Sequence, residues 1–225
     1  MRIAECFHSI QGEGRLTGVP SIFIRTSGCN LRCWFCDTPY TSWEPEGESR
    51  TVAEVLDDTA RWDCDHVVIT GGEPLLVPEL VELTTRLRER GQHITIETAG
   101  TVLRPVVCDL MSISPKRANS APATGEWRTR HEARRHRPDT IHAMLAHYDC
   151  QFKFVIDSPA DIDDVADWLA EFPQVEPPQI LLMPQGTEAA DCRERLVWIE
   201  PEAARRGWRT SPRLHLELFG NRRGT

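Results

Sequence analysis

Gly28-Cys29-Asn30-Leu31-Arg32-Cys33-Trp34-Phe35-Cys36-Asp37-Thr38 is the stretch from which the rest of the chain is read. Its cysteines stand as C-x3-C-x2-C, directly after an apolar run, Ser21–Arg25 (SIFIR), that reads as a strand. A structural zinc site closes on four ligands, and ordinary iron–sulfur clusters are held by four thiolates. Three close cysteines leave one metal corner free. On a cubane [4Fe–4S] cluster, that free iron accepts a chelating amino and carboxylate pair. The same spacing also admits a zinc site completed by a remote ligand such as His8, Cys6 or Cys64.

Outward from this loop the chain repeats one rhythm, a short β-rich apolar run followed by an unusual loop motif. His66–Thr70 (HVVIT) leads into Gly71-Gly72-Glu73-Pro74, and His93–Thr98 (HITIET) into Ala99-Gly100-Thr101. Asp109–Ser114 (DLMSIS) leads into Pro115-Lys116, and Ile180–Met183 into Pro184-Gln185-Gly186. Gln151–Ile156 (QFKFVI) is a further strand, and Arg213–Leu218 (RLHLEL) alternates as a last one. Helices are expected over Thr51–Arg61, where Thr51 and Glu54 make a capping box, and over Pro78–Arg90, with Pro at its start and Gly91 at its end. Three more fall at Asp139–His147, Ala160–Glu171 and Glu188–Arg205. The Gly-Gly-Glu-Pro segment alone reads equally as a glycine turn or as backbone brought close to a ligand.

About six parallel β/α units result. A closed eightfold barrel takes about 250 residues, so a chain of 225 predicts an α/β fold that is an incomplete, open β/α barrel, with residues 1–225 as one domain. In such folds the loops after the strands carry the chemistry, and the unusual motifs all fall there. Residues 116–137 break the rhythm. They hold seven cationic residues against Glu126 and Glu132, and read as a solvated surface loop or a mobile cover over the site.

The net charge of −8 argues against nucleic acid and acidic membranes as partners. No apolar run approaches a membrane span, and Met1-Arg2-Ile3-Ala4-Glu5 begins no apolar leader, so a cytoplasmic protein is expected. Of eight cysteines three are clustered, which in a reducing compartment favours ligands over disulfides.

C-x3-C-x2-C with an aromatic before the last cysteine, followed in the next unit by Gly71-Gly72-Glu73-Pro74, resembles the radical S-adenosylmethionine superfamily. Within it, Ser9-Ile10-Gln11-Gly12-Glu13-Gly14, Gly18-Val19-Pro20, Arg25, Asp37-Thr38, Thr70, Glu97-Thr98-Ala99-Gly100-Thr101, Ser114-Pro115-Lys116, Phe152-Lys153-Phe154, Met183-Pro184-Gln185-Gly186 and His215 resemble the 7-carboxy-7-deazaguanine synthase family. The resemblance spans essentially the whole chain and is weak across 117–150. It implies a homodimeric lyase of queuosine and 7-deazapurine biosynthesis. The reaction is contraction of 6-carboxy-5,6,7,8-tetrahydropterin to 7-carboxy-7-deazaguanine with loss of ammonia. A 5'-deoxyadenosyl radical takes a hydrogen from C6 and later returns it.

The resemblance also implies the residue roles. Cys29, Cys33 and Cys36 hold the [4Fe–4S] cluster, and Thr38 holds Mg2+. Phe35, Cys36, Asp37, Gly72, Glu73, Ser114, Pro115, Lys116, Met183, Pro184, Gln185 and Gly186 bind S-adenosylmethionine. Ile10, Gln11, Gly12, Glu13, Arg25, Thr70, Glu97, His215 and Thr225 bind the pterin, and the N-terminal turn and C-terminal tail close its site. The electron donor is expected to be a small acidic, flavodoxin-like protein. Two other readings are a glycyl-radical activase, which would lack the QGEG turn and the Asp37-Thr38 pair, and a non-enzymatic iron–sulfur or zinc protein, which would not need motifs gathered on strand ends.

Overall fold

In chain order the computed structural model, which describes residues 1–225, contains β1 (Arg2–Ile10), β2 (Pro20–Thr26), α1 (Pro39–Ser42), β3 (Glu48–Ser49), α2 (Val52–Thr59), β4 (His66–Gly71), α3 (Leu80–Glu89), β5 (His93–Thr98) and β6 (Leu110–Ile113). It continues with α4 (Glu126–Arg135), α5 (Pro138–His147), β7 (Cys150–Ile156), α6 (Pro159–Leu169), β8 (Ile180–Pro184), α7 (Ala189–Arg205), β9 (Arg209–Thr210) and α8 (Leu214–Phe219). All the strands join one sheet, ordered β3-β1-β2-β4-β5-β6-β7-β8-β9. From β2 to β9 every pairing is parallel, while β1 runs antiparallel to both β2 and β3. β3 and β9 are unpaired edges, so the barrel is open, with six principal parallel strands (β2 and β4 to β8).

Successive side chains of a strand point to opposite faces, and here that alternation separates core from site. Ile22 and Ile24, Val67 and Ile69, Ile94 and Ile96, Met111 and Ile113, Phe152 and Phe154, and Ile180 and Leu182 all belong to one buried apolar cluster with residues of the flanking helices. The intervening positions carry Phe23 and Arg25, Val68 and Thr70, Thr95 and Glu97, Ser112, Gln151 and Lys153. Parallel register sets Arg25 beside Thr70 and Ser112 beside both Glu97 and Gln151. The apolar face therefore stabilises the sheet against its helices, and the inner face is free to carry polar chemistry.

α2 begins as its sequence dictates: Glu54 N–H donates to Thr51 Oγ1 at 3.2 Å, and Thr51 N–H donates to the Glu54 carboxylate at 2.7 Å. Two expectations are corrected. Arg213–Leu218 is not a strand: residues 214–219 form α8, and the last N–H on this edge to bond β8 is that of Ser211, to Leu182 O at 2.9 Å. Residues 116–137 are not one irregular loop. Ala118–Ser120 is a 3-10 turn and Glu126–Arg135 a ten-residue helix, both packed beside the cysteine loop. β1 was not anticipated from the sequence at all.

Candidate active site

The C-terminal ends of β2 and β4 to β8 surround a cavity of about 370 Å³. One wall is the cysteine loop, with Cys29, Cys33, Phe35, Cys36, Asp37 and Thr38. Another wall is the N-terminal turn, Ile10, Gln11, Gly12 and Glu13. Between them strand ends contribute Arg25, Thr70, Gly72, Glu97, Ser114, Lys116 and Met183-Pro184-Gln185-Gly186, while His215 of α8 and Thr225 of the tail complete the lining. Of the residues predicted from sequence, Glu73 and Pro115 alone do not line it.

Glu73 is fully buried, and its carboxylate accepts from Thr98 Oγ1 at 2.8 Å, Ala99 N at 2.9 Å and Leu75 N at 3.1 Å. Burial pushes its pKa up, against the pull of those donors. Its side chain staples the turn after β4 to the end of β5. The adjoining glycines meet backbone: a Cβ on Gly71 would lie 2.1 Å from Thr26 O, and one on Gly72 2.2 Å from Gly28 O. The Gly-Gly pair thus lets the β4 turn press against the entrance of the cysteine loop.

Two residues given no role from the sequence hold the site together. Lys153, 4% exposed, donates to Glu13 at 2.8 Å and to Glu97 at 3.1 Å. Arg213 donates to Glu13 at 3.2 Å, and also to Asp37 and the Gly186 carbonyl. It therefore links the N-terminal turn, the cysteine loop and the loop after β8. Burial alone would raise Glu13, but Lys153 and Arg213 hold its carboxyl well below the usual carboxylate range. Against burial, Glu13 and Glu97 raise Lys153, and Asp37 and Glu13 raise Arg213. Asp37 is likewise lowered, Arg213 overcoming burial, though 40% of its side chain remains open. A lysine flanked by phenylalanines in the strand QFKFVI was the sequence signal for Lys153. Arg213 gave none, because it stood in a segment misread as a strand.

Glu97 is further held by Thr70 Oγ1 at 2.9 Å and Gln11 Nε2 at 3.3 Å, so three predicted residues meet there. Gly12 is required by contact, since a Cβ there would lie 2.1 Å from His215 Nδ1. Burial lowers His215. Arg25 Nε lies 3.1 Å from Glu5 yet is buried without an aligned hydrogen bond. Lys116 Nζ bonds Ser114 through its carbonyl at 3.0 Å and its hydroxyl at 2.6 Å. Thr38 Oγ1 stands 3.8 Å from Cys36 Sγ.

Residues 23–148 match the Radical SAM superfamily. A 7-carboxy-7-deazaguanine synthase of Halobacterium salinarum is 43% identical over 97% of this chain and 90% of its own length. The chain belongs to the 7-carboxy-7-deazaguanine synthase family. A second such synthase, from Rhodopirellula baltica, is 44% identical over 99% of the chain and 88% of its own. The crystal structure of QueE from Escherichia coli superposes with a TM-score of 0.69 at 27% identity, covering 93% of this chain and 92% of that one. As a radical S-adenosylmethionine enzyme the family uses a [4Fe–4S] cluster, S-adenosylmethionine and an external reductant.

The donor set fits that cluster. Cys29, Cys33 and Cys36 all face the cavity, and each lies within electrostatic reach of the others. Burial pushes Cys29 up to about 11 and Cys33 to about 12, so cluster binding displaces their protons. No helix is long and apolar enough to cross a membrane.

Proposed function

We propose that this chain contracts 6-carboxy-5,6,7,8-tetrahydropterin to 7-carboxy-7-deazaguanine with release of ammonia, in queuosine and 7-deazapurine biosynthesis. The observation that carries the reading is the meeting, in one cavity, of three cluster thiols with the Glu13–Lys153–Glu97–Arg213 array. A pterin offers an edge of N–H donors beside a carbonyl, and this substrate adds a carboxylate. Glu13 and Glu97 accept from the edge, and Arg25, whose Nε is ion-paired with Glu5 without an aligned hydrogen bond, takes the carboxylate with its planar fork.

When bound, the cluster and S-adenosylmethionine supply the radical that starts the rearrangement. The chain's own residues bind and orient. Phe35, Cys36 and Asp37 offer backbone groups to the adenine. Gly72 faces the methionine amino group, with Glu73 fixing the turn behind it. Ser114 and Lys116 hold the carboxylate and ribose, with Pro115 between them fixing the turn, and Met183 to Gly186 face the adenosine, with Gln185 as the polar contact. Gln11 and Thr70 orient Glu97. Ile10, Gly12, His215 and Thr225 close over the pterin and exclude water.

Thr38 supplies one hard oxygen to Mg2+, an ion that takes few protein ligands and completes its octahedron with substrate and water. Residues 1–225 act as one domain, in a cytoplasmic homodimer. The reductant is a small acidic flavoprotein that meets the basic face of residues 116–137. Unchanged donor-driven turnover after neutralising Arg128, Arg130 and Arg137 would remove that assignment.

The test is an anaerobic assay of the reconstituted protein with S-adenosylmethionine, dithionite, Mg2+ and the tetrahydropterin, read by mass spectrometry. The expected product is 7-carboxy-7-deazaguanine, lost in Cys33→Ala and reduced by Thr38→Ala or by chelating Mg2+. Appearance of 5'-deoxyadenosine and methionine alone would keep the radical chemistry and overturn the substrate.

A further inference from the structure

Resemblance is weakest across residues 117–150, yet part of that segment packs on the cysteine loop. The Ser120 carbonyl accepts from Trp34 N at 3.1 Å, and the Asn119 carbonyl from Trp34 Nε1 at 2.7 Å. Arg134 donates to Asn30 O at 3.3 Å. The Arg32 guanidinium sits 4.0 Å from the centre of the Trp127 ring while donating to Cys29 O at 2.8 Å and Leu31 O at 2.7 Å. These contacts reach both sides of Cys33, and His131 of α4 lies among them.

His131 is completely buried, and nothing in the reaction uses it. Its Nδ1 accepts from the Arg32 backbone N–H at 3.2 Å. Its Nε2 stands 2.9 Å from Ser120 Oγ, which donates its own hydrogen to Arg117 O at 2.6 Å. The directions permit one arrangement. An amide N–H only donates, so Nδ1 carries no hydrogen. The serine hydrogen is already given to Arg117 O, so Nε2–H donates to Ser120 Oγ. A single relay thus runs from the peptide between Cys29 and Cys33, through the ring, to the 3-10 turn that also holds Trp34.

We propose that His131 is a positioning residue for the iron–sulfur loop: by accepting the Arg32 N–H at Nδ1, it fixes the backbone that sets the spread of the Cys29 and Cys33 thiols. This rests on the assignment of that loop as the seat of the cluster. The physical reason is that the loop is irregular and has no ladder to satisfy its buried amides. An amide left without a partner costs free energy, and groups behind the ligands govern how firmly those ligands hold a metal.

Two substitutions separate the acceptor from the bulk of the ring. His131→Asn sets an amide oxygen near the place of Nδ1 and keeps an acceptor for Arg32. His131→Gln reaches Ser120 with its amide but offers nothing at Nδ1. The measurement is the rate at which anaerobically reconstituted protein releases iron to a chelator, alongside circular dichroism and thermal melting of the same samples. The expected result is release on the order of tenfold faster in His131→Gln, with His131→Asn near the wild-type rate. Should His131→Gln not fold, Ser120→Ala, which frees Nε2–H and loosens the ring, is expected to shift release in the same direction. Equal rates in every protein would overturn the proposal. Equal acceleration in the Asn and Gln variants would also overturn it, since packing rather than the acceptor would then matter. A wild-type protein that takes up no cluster would overturn the assignment of the loop, and this inference with it.

Discussion

Lys153 is the single positive charge between two carboxylates, Glu13 and Glu97, that lie far apart in the sequence. Removing one member of a buried ion network leaves its partners desolvated and unpaired, at a cost of about 3–5 kcal/mol. Lys153→Met is therefore expected to lose stability of that order in urea unfolding, together with substrate turnover. Adding Glu97→Gln should restore part of the stability, because without Lys153 that carboxylate keeps no cationic partner while Glu13 keeps Arg213, and non-additivity in this cycle measures the pair. Glu13 also sets an acid limb. Its folded pKa is depressed by Lys153 and Arg213 against burial, so its contribution is fully present above the unfolded value of about 4.3 and is lost as pH falls toward the folded one. Denaturation at stepped pH should show wild-type stability falling below about pH 4.3, with a flatter slope in Glu13→Gln. A parallel slope in the two proteins would locate the acid sensitivity elsewhere. These residues also mark what the sequence discloses. Arg25, Thr70 and Glu97 were legible because each ends a strand beside a recognisable motif. Lys153 lies inside a strand, and only the alternation of Phe152-Lys153-Phe154 hints that it faces away from the core.

The elements themselves follow from local chemistry wherever local and tertiary preferences agree. Parallel strands buried on one face read as short apolar runs, and α2 carries its own start signal in Thr51 and Glu54. Thr51→Ala removes the acceptor for Glu54 N–H, and is expected to lower Tm by about 2–4 °C without altering product formation. A change in activity at unchanged Tm would mean that α2 communicates with the site. Where the preferences conflict, the sequence misleads. Leucines at 214, 216 and 218 alternate as a strand would, but past Ser211 the chain leaves β8, Leu214 N–H donates to Gly12 O at 2.9 Å, and the segment winds into α8, burying Leu216 and leaving Leu218 half exposed. That helix brings His215 against Gly12. α4 was illegible for a related reason: its ten residues carry too few apolar side chains to show a helical stripe, and it is held by hydrogen bonds to the cysteine loop through His131 and Arg134.

At the scale of the whole molecule, an open barrel must close its site with something other than strands. Here the N-terminal turn fills the gap: Gly14 N–H donates to Ser211 Oγ at 2.8 Å and Arg15 N–H to Gln151 at 2.9 Å, across most of the sheet's width. Residues 221–225 then lie over the mouth, where Gly224 N–H donates to Glu5 at 3.0 Å and the Arg223 guanidinium stacks 3.5 Å from the centre of the Tyr40 ring. Tyr40 in turn bonds Glu5, the neighbour of Arg25, so the tail is coupled to the guanidinium assigned to the substrate carboxylate. Arg223 also pairs with Glu46 at 2.9 Å, but both side chains are more than half exposed, and such a pair contributes little to the fold. Arg223→Ala should therefore leave Tm and iron content unchanged. It should raise KM for the tetrahydropterin by about fivefold, the scale of a lost surface cation–π contact, with a smaller effect on kcat. Steady-state kinetics beside a thermal melt decide the matter. A fall in Tm with KM unchanged would assign the tail to the stability of the fold, whereas a rise in KM at constant Tm would make it the flap that holds the substrate against Arg25.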